Sequence, residues 1–380
     1  FKYYGFFVEQ AGDLLARVGW ERDLPLLEIV LPIGISFFTF QGISYIVDVY
    51  RGDCEPTRGF VDFAAFVAMF PHLIAGPVFR YKDLDEQLRS RDHTLDKFAE
   101  GSVRFMQGFI KKVFIADSIA PLADAAFSLH NPTTADAWLG ALAYTAQLYF
   151  DFSGYSDMAI GLALLMGFRF TENFNQPYIS QSITEFWRRW HISLSNWLRD
   201  YLYISLGGNR FGKLRTDIKK FTAMPLGGPW HGSNWTFVLW GIWHGALLAV
   251  ETKLGADPKP KTFRVHRWAL TFFFVILGWV MFRAANVTEA LRMYGAMFAF
   301  DGRGFSELYQ GSITSLQLAT LLLAFVVVAV RGLRFYVPQL AWSPADWRKL
   351  SSLSLLIPLF VLSILKLSAQ SYSPFLYFQF

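Results

Sequence analysis

Long apolar runs separated by short polar segments dominate the chain, most clearly Trp268–Phe282, Leu316–Val330 and Leu353–Leu367. Extended by a few flanking residues, each approaches the roughly 17–25 residues that carry a helix across a bilayer. Thr236–Val250 is similar but contains His244. Leu24–Val49 and Phe60–Phe79 are long enough but interrupted by Pro32, Pro71 and Pro77, and Ala137–Phe168 has room for a hairpin or two spans broken near Asp151–Gly154. The runs are too long and too continuously apolar for the period-two alternation of a membrane barrel. The pattern therefore predicts an all-α polytopic membrane protein with roughly eight or nine embedded helices. Val287–Phe300 places Ala290, Leu291, Tyr294, Met297 and Phe298 at helical spacing, which predicts a helix lying along the interface. Arg331–Arg348 and Ala256–His266, each with proline and clustered basic residues, read as loops. No repeat, low-complexity tract or linker divides the sequence, so residues 1–380 are expected to form a single domain.

Composition sharpens this picture only slightly. At 53% hydrophobic and 17% charged the chain is more apolar than an average soluble domain, and its mean hydropathy of +0.29 requires polar loops between the spans. The net charge of +5 fits basic loops on the cytoplasmic side better than a nucleic-acid partner, and none is expected. Cys54 is the single cysteine, which excludes an intrachain disulfide and a thiolate cluster. The sequence opens Phe1-Lys2-Tyr3-Tyr4 without the pattern of a secretory leader, and an earlier portion carrying further spans is expected to precede it.

The informative region runs from Gln176 to Gly245, too polar for an ordinary span and too aromatic for an ordinary loop. Drawn as one helix at about 100° per residue, Thr184–Tyr203 gathers Trp187, Trp190, Leu194, Trp197, Leu198 and Tyr201 on one arc, with arginines on the flanks. His191 falls about 40° from Trp187 and points toward the protein body. Spacing alone does not decide between a functional His191 and a buried one bonded to a backbone carbonyl, and the tryptophans need no role beyond packing. Leu206-Gly-Gly-Asn-Arg210 then leads into a cationic stretch with Lys213, Arg215, Lys219 and Lys220 against one acid, Asp217. That stretch reads as a topology signal, to which phosphate recognition by Arg210, Lys213 and Arg215 can be added; it has no phosphate-loop order.

Trp230-His231-Gly232 is echoed by Trp243-His244-Gly245. An imidazole at membrane depth is costly without partners and so is a functional candidate, although a histidine bonding only a neighbouring helix fits equally well. Flanking glycines allow close approach of backbone or an acyl chain. His191, His231 and His244 match no zinc spacing and no acid lies at the usual offsets, so no metal is expected; general-base chemistry needs only one near-neutral imidazole beside a hydroxyl. Asp151 and Asp157 are expected to accept hydrogen bonds that stabilise a helix break at Gly154, and Glu28, Lys111 and Lys112 to lie near the interface or to snorkel toward it.

Several longer runs carry a family resemblance. Glu185-Phe-Trp-Arg-Arg-Trp-His-Ile-Ser-Leu-Ser195, Trp197-Leu-Arg-Asp-Tyr201, Leu31-Pro-Ile-Gly-Ile-Ser-Phe37, Phe70-Pro-His-Leu-Ile-Ala-Gly-Pro77, Leu148-Tyr-Phe-Asp-Phe-Ser-Gly-Tyr-Ser-Asp157, Glu172-Asn-Phe-Asn-Gln-Pro-Tyr178 and Ser373-Pro-Phe-Leu-Tyr-Phe-Gln-Phe380 resemble the membrane-bound O-acyltransferase family over essentially the whole chain. Within it they are most similar to the polysaccharide branch, in the alginate-acetylating subgroup. The resemblance implies a ring of tilted helices around a thinned centre, with a tunnel joining a cytoplasmic donor to an acceptor across the bacterial inner membrane. It places the family's invariant histidine on His231 and its second functional histidine on His191, with His244, Trp187, Trp230 and Asn196 as supporting residues. It further implies acetyl-CoA as the donor substrate, no bound cofactor, and periplasmic alginate-acetylation proteins as partners. The family usually has Leu where Pro229 stands, and residues 219–225 are more polar than the corresponding family segment. A sister enzyme moving D-alanine from a carrier protein to teichoic acid, and a non-catalytic acetyl conduit, are the alternatives.

Overall fold

The computed structural model describes residues 3–20, 32, 34–73, 76–205, 224–255, 262–333, 350–369, 375 and 376, and among these the regular structure is entirely helical. Helix α1 (Tyr4–Arg17) is followed by α2 (Ile35–Arg51), which opens after Gly34 in a left-handed conformation, φ 76°. The buried residues of α2 are Phe37, Gln41, Ser44 and Asp48, whereas Ile46 and Tyr50 are exposed. A polar stripe facing the protein and apolar side chains facing out is the reverse of a soluble amphipathic helix, and it suits a helix set against lipid. The expected span over Phe60–Phe79 does not form. Only α3 (Phe60–Val67) is helical; the described residues that follow, 68–73 and 76–80, form no regular helix, and Pro71 and Pro77 each remove a backbone donor before α4 (Tyr81–Arg89).

The centre of the molecule is α7 (Thr134–Leu165), packed against α5 (Leu95–Phe109) and α6 (Asp117–Ser128). Thr133 and Asp136 reciprocally cap its start, and its 32 residues extend about 48 Å, more than a hydrocarbon core. The expected break near Asp151–Gly154 is absent, and the helix runs through it. The reason is tertiary. Gly154 has no side chain because Gly108 of α5 crosses there; a Cβ on Gly108 would lie 2.5 Å from the Gly154 carbonyl oxygen. The acids find cations from the neighbouring helix instead of bending their own. Between α5 and α6 the chain forms a π-helical stretch, Ile110–Ala116, that carries Lys111 and Lys112. Lys111 pairs with Asp157 at 2.5 Å and Lys112 with Asp151 at 2.7 Å and Asp117 at 2.6 Å. Consecutive residues of a π-helical turn diverge by about 80° and residues six apart on α7 by about 120°, so the two lysines reach the two acids along diverging directions. Arg104 adds a second cation to Asp157 at 2.6 Å. Lys111 and Lys112 therefore do not snorkel; they are part of a buried ionic belt. Glu28 lies outside the described residues.

The polar centre also departs from the single amphipathic helix expected over Thr184–Tyr203. It is broken into α8 (Ile183–Arg189), a corner at Trp190–His191, α9 (Ile192–Trp197) and a π-helical turn, Leu198–Tyr203. His191 occupies the left-handed region, φ 44°, at the corner. Residues 224–231 are helical and form α10, ending on His231. Then come α11 (Trp235–Leu254), α12 (Val265–Arg283), α13 (Val287–Met297), α14 (Glu307–Ser312), α15 (Ser315–Leu333) and α16 (Leu350–Ala369). The long apolar runs thus became helices. Two helices among the described residues, Val265–Arg283 and Ser315–Gly332, are long and apolar enough to cross a bilayer, with Leu353–Ala369 a shorter apolar helix. Leu316, Leu322, Val326, Leu355 and Leu365 stand exposed on α15 and α16, as expected of side chains that meet lipid. The helix expected over Val287–Phe300 forms as α13, burying Ala290, Met293 and Met297 while Leu291 and Phe298 are exposed. The predicted loops Arg331–Arg348 and Ala256–His266 fall largely outside the described residues. Of them, Arg331 still belongs to α15 and Val265 already begins α12.

Candidate active site

The corner that carries His191 is held by a neighbouring segment. The Ile192 amide donates to the Asn173 carbonyl at 2.9 Å, and the Asn175 amide to the Arg189 carbonyl at 2.9 Å. Such a positive φ is unusual for a residue with a side chain, and this pairing fixes it. The result is that His191 leaves the wheel of α8 and is fully buried, packed edge-on to Phe152 of α7 at 4.7 Å and against Phe174. Its Nδ1 bonds the Asn173 side-chain oxygen at 3.1 Å, not a backbone carbonyl, and its Nε2 has no hydrogen-bond partner among the described residues.

His231 is brought close by α10. Trp230, beside it, packs against both rings, 5.7 Å from the His191 centroid and 4.9 Å from that of His231. His231 is enclosed further by Trp240 and Phe282, each at 5.1 Å and edge-on. His244, on α11, shares Trp240 with it at 5.1 Å and also meets Trp187 at 5.3 Å. The three histidines expected from sequence are thus strung along an aromatic chain in which Trp230 and Trp240 are the links. Both nitrogens of His244 and the Nε1 of Trp187 and Trp240 are buried without partners among the described residues. Pro229 lies within α10, and its carbonyl accepts from the Tyr3 hydroxyl at 2.8 Å.

A cavity of about 500 Å³ adjoins this chain. Trp187 forms part of its wall and touches His244 and Trp240 as well. Thr184, Arg188, Asn196, Arg199 and Thr252 give that wall its polar groups. The α8 segment of the wall is pinned from below by Glu251 of α11, whose carboxylate accepts from the Ile183 amide and from the Thr184 amide and hydroxyl, the latter two at 2.9 Å. Trp187 and Asn196, singled out as supporting residues, both lie in the cavity wall. Arg210, Lys213 and Arg215 lie outside the described residues.

Sequence reasoning missed Asn173, whose role depends on a contact across 18 positions, and Arg188 and Arg199 as cavity residues. It also passed over His72, fully buried against Phe79 and Phe170 with neither ring nitrogen partnered among the described residues. The signal for His72 was available: a histidine flanked by proline inside an apolar run.

Buried imidazoles linked by indoles, with His244 one side chain removed from a cavity that has arginines in its wall, suit the transfer of an activated acyl group to a hydroxyl in a site sheltered from water. The chain belongs to the membrane-bound O-acyltransferase family, whose family model matches residues 56–288. It is an integral membrane O-acyltransferase. It is 60% identical to a "probable alginate O-acetylase" of Pseudomonas putida over 100% of this chain and 81% of that protein. It is 34% identical to a peptidoglycan O-acetyltransferase of Helicobacter pylori, over 100% of this chain and 79% of the relative. A teichoic acid D-alanyltransferase of Bacillus subtilis is 31% identical over 66% of this chain and 68% of that protein.

Proposed function

We propose that this enzyme transfers acetyl groups from a cytoplasmic thioester donor, acetyl-CoA, toward alginate on the periplasmic face of the inner membrane, in concert with periplasmic acetylation proteins. The observation that carries this reading is the 60% identity to an alginate O-acetylase along the whole chain, against 31% to the D-alanyltransferase over part of it. In this reading the helices surround a thinned centre, and the cavity beside Trp187 together with the histidine chain is one stretch of a tunnel between donor and acceptor. The donor's phosphates meet Arg188 and Arg199, with Arg210, Lys213 and Arg215 adding charge, while its acyl end passes Trp187. His231 takes the proton of the acceptor hydroxyl as the oxygen attacks the thioester carbonyl, the carbon–sulfur bond breaks, and the thiolate leaves with that proton. His191 assists, and His244 supports the wall through Trp240. No bound cofactor is needed for these steps.

The test is complementation in an alginate-producing strain lacking its own acetylase, with acetyl esters on mannuronate measured by NMR. The reading predicts that esters return. Their absence with the protein present in the inner membrane would overturn it, as would D-alanyl esters appearing on teichoic acid in the corresponding Gram-positive background. Purified protein that turns over acetyl-CoA with a simple hydroxyl acceptor separates an enzyme from a conduit.

A further inference from the structure

We infer that Asn173 is a positioning residue that fixes the proton of His191 on Nδ1, so that Nε2 faces the site as a hydrogen-bond acceptor for the hydroxyl being acylated. The inference rests on the proposed acyl transfer and deepens it, because it decides how His191 assists.

The Asn173 amide is fully buried, and its neighbours fix its orientation. Its Oδ1 lies 3.3 Å from the backbone amide of Ser193, a group that only donates, so the atom facing it is the oxygen. Its Nδ2 donates to Ser156 Oγ on α7 at 3.1 Å, which is consistent with that assignment. Ser193 Oγ accepts from the Val78 amide at 2.9 Å, and its own proton has two acceptors in reach, Asn173 Oδ1 at 2.9 Å and His191 Nδ1 at 3.5 Å, of which the much shorter contact to Oδ1 takes it. Oδ1 is therefore an acceptor for everything around it, including His191 Nδ1 at 3.1 Å. A lone pair on Nδ1 would face a lone pair on Oδ1. A neutral His191 must carry its proton on Nδ1.

The consequence lies at the other nitrogen. Nε2 is then a lone pair, buried among Phe152, Phe174 and Trp230 and without a partner among the described residues. A neutral ring in this tautomer cannot donate to the thioester carbonyl, which removes carbonyl polarisation from the tasks of His191. It can hold an incoming hydroxyl and orient its oxygen while His231 takes the proton. The corner geometry serves the same end, because Asn173 also uses its backbone carbonyl to hold the Ile192 amide immediately after His191.

The decisive measurement is ¹⁵N NMR of histidine-labelled protein in lipid nanodiscs, with the resonances of position 191 assigned from their loss in H191Q. The inference predicts a directly bonded proton on Nδ1 and none on Nε2, and in N173A a shift of that proton toward Nε2. A proton on Nε2 in the unaltered protein would overturn it. Acetyl-ester formation in the complemented strain, normalised to membrane-embedded protein, gives a second readout. N173A lowers the rate by roughly a hundredfold, whereas N173D, which retains the acceptor, lowers it by less than about tenfold. Equal losses in N173A and N173D would mean that Asn173 only packs, and would overturn the positioning role. A complemented strain that makes no ester even with the unaltered chain counts against the proposed function, while the NMR experiment still decides the tautomer.

Discussion

Two buried polar regions border α7, one at Asp151 and Asp157 and one where Phe152 meets His191, and they are built by opposite rules. In the ionic belt every cation meets a carboxylate: Lys111 and Arg104 on Asp157, Lys112 on Asp151 and Asp117. Asp151 also accepts from the Leu376 amide at 3.0 Å, tying the carboxy-terminal segment to the same helix. In the aromatic centre, His191 Nε2, both nitrogens of His244 and the Trp187 and Trp240 ring N–H groups have no partner among the described residues. A buried polar atom left unpaired costs about 1–3 kcal/mol, so the aromatic centre carries polar groups that bound water or the substrate of the proposed acyl transfer can satisfy.

That contrast can be broken by substitution. H191Q preserves bulk in the open centre but removes the imidazole, and it should lower acetyl transfer by about a hundredfold to ten-thousandfold with little change in thermal unfolding. D157N does the reverse. It leaves Arg104 and Lys111 buried against a neutral side chain, and should lower stability by about 3–5 kcal/mol, read as a fall in the melting temperature of detergent-solubilised protein, while turnover per folded molecule changes far less. G108A tests the crossing that brings the belt together; the added methyl meets the Gly154 carbonyl and should cost about 1–3 kcal/mol, whereas G295A, where an added Cβ meets nothing within 4 Å, should cost none. N196A, in the cavity wall, should raise the half-saturating donor concentration by about fivefold, the loss of one ordinary hydrogen bond.

Much of the fold was legible because apolar runs must become helices in a membrane. Trp268–Phe282, Leu316–Val330, Leu353–Leu367 and Thr236–Val250 each lie inside an observed helix. The errors share a cause, since each depended on a partner distant in sequence. Asp151 and Asp157 look like breakers of α7 until Lys112 and Lys111 arrive from 39 and 46 positions away. Leu194, Trp197 and Tyr201 continue the apolar wheel past His191, so nothing local announces the corner that Asn173 and Asn175 impose. For the site, histidines beside small and aromatic residues were readable, and the family resemblance singled out His191 and His231. Trp230 as their shared contact was not, because α10 and the His191 corner meet only in the folded chain.

The central claim is that the aromatic centre, and not the ionic belt, carries the acyl transfer. The most direct measurement is the rate of mannuronate acetyl-ester formation in the complemented strain carrying H231Q, normalised to the amount of protein in the membrane. The account predicts a loss of at least about a hundredfold at unchanged membrane abundance. Retention of the rate within about twofold would contradict it and move the chemistry away from His231.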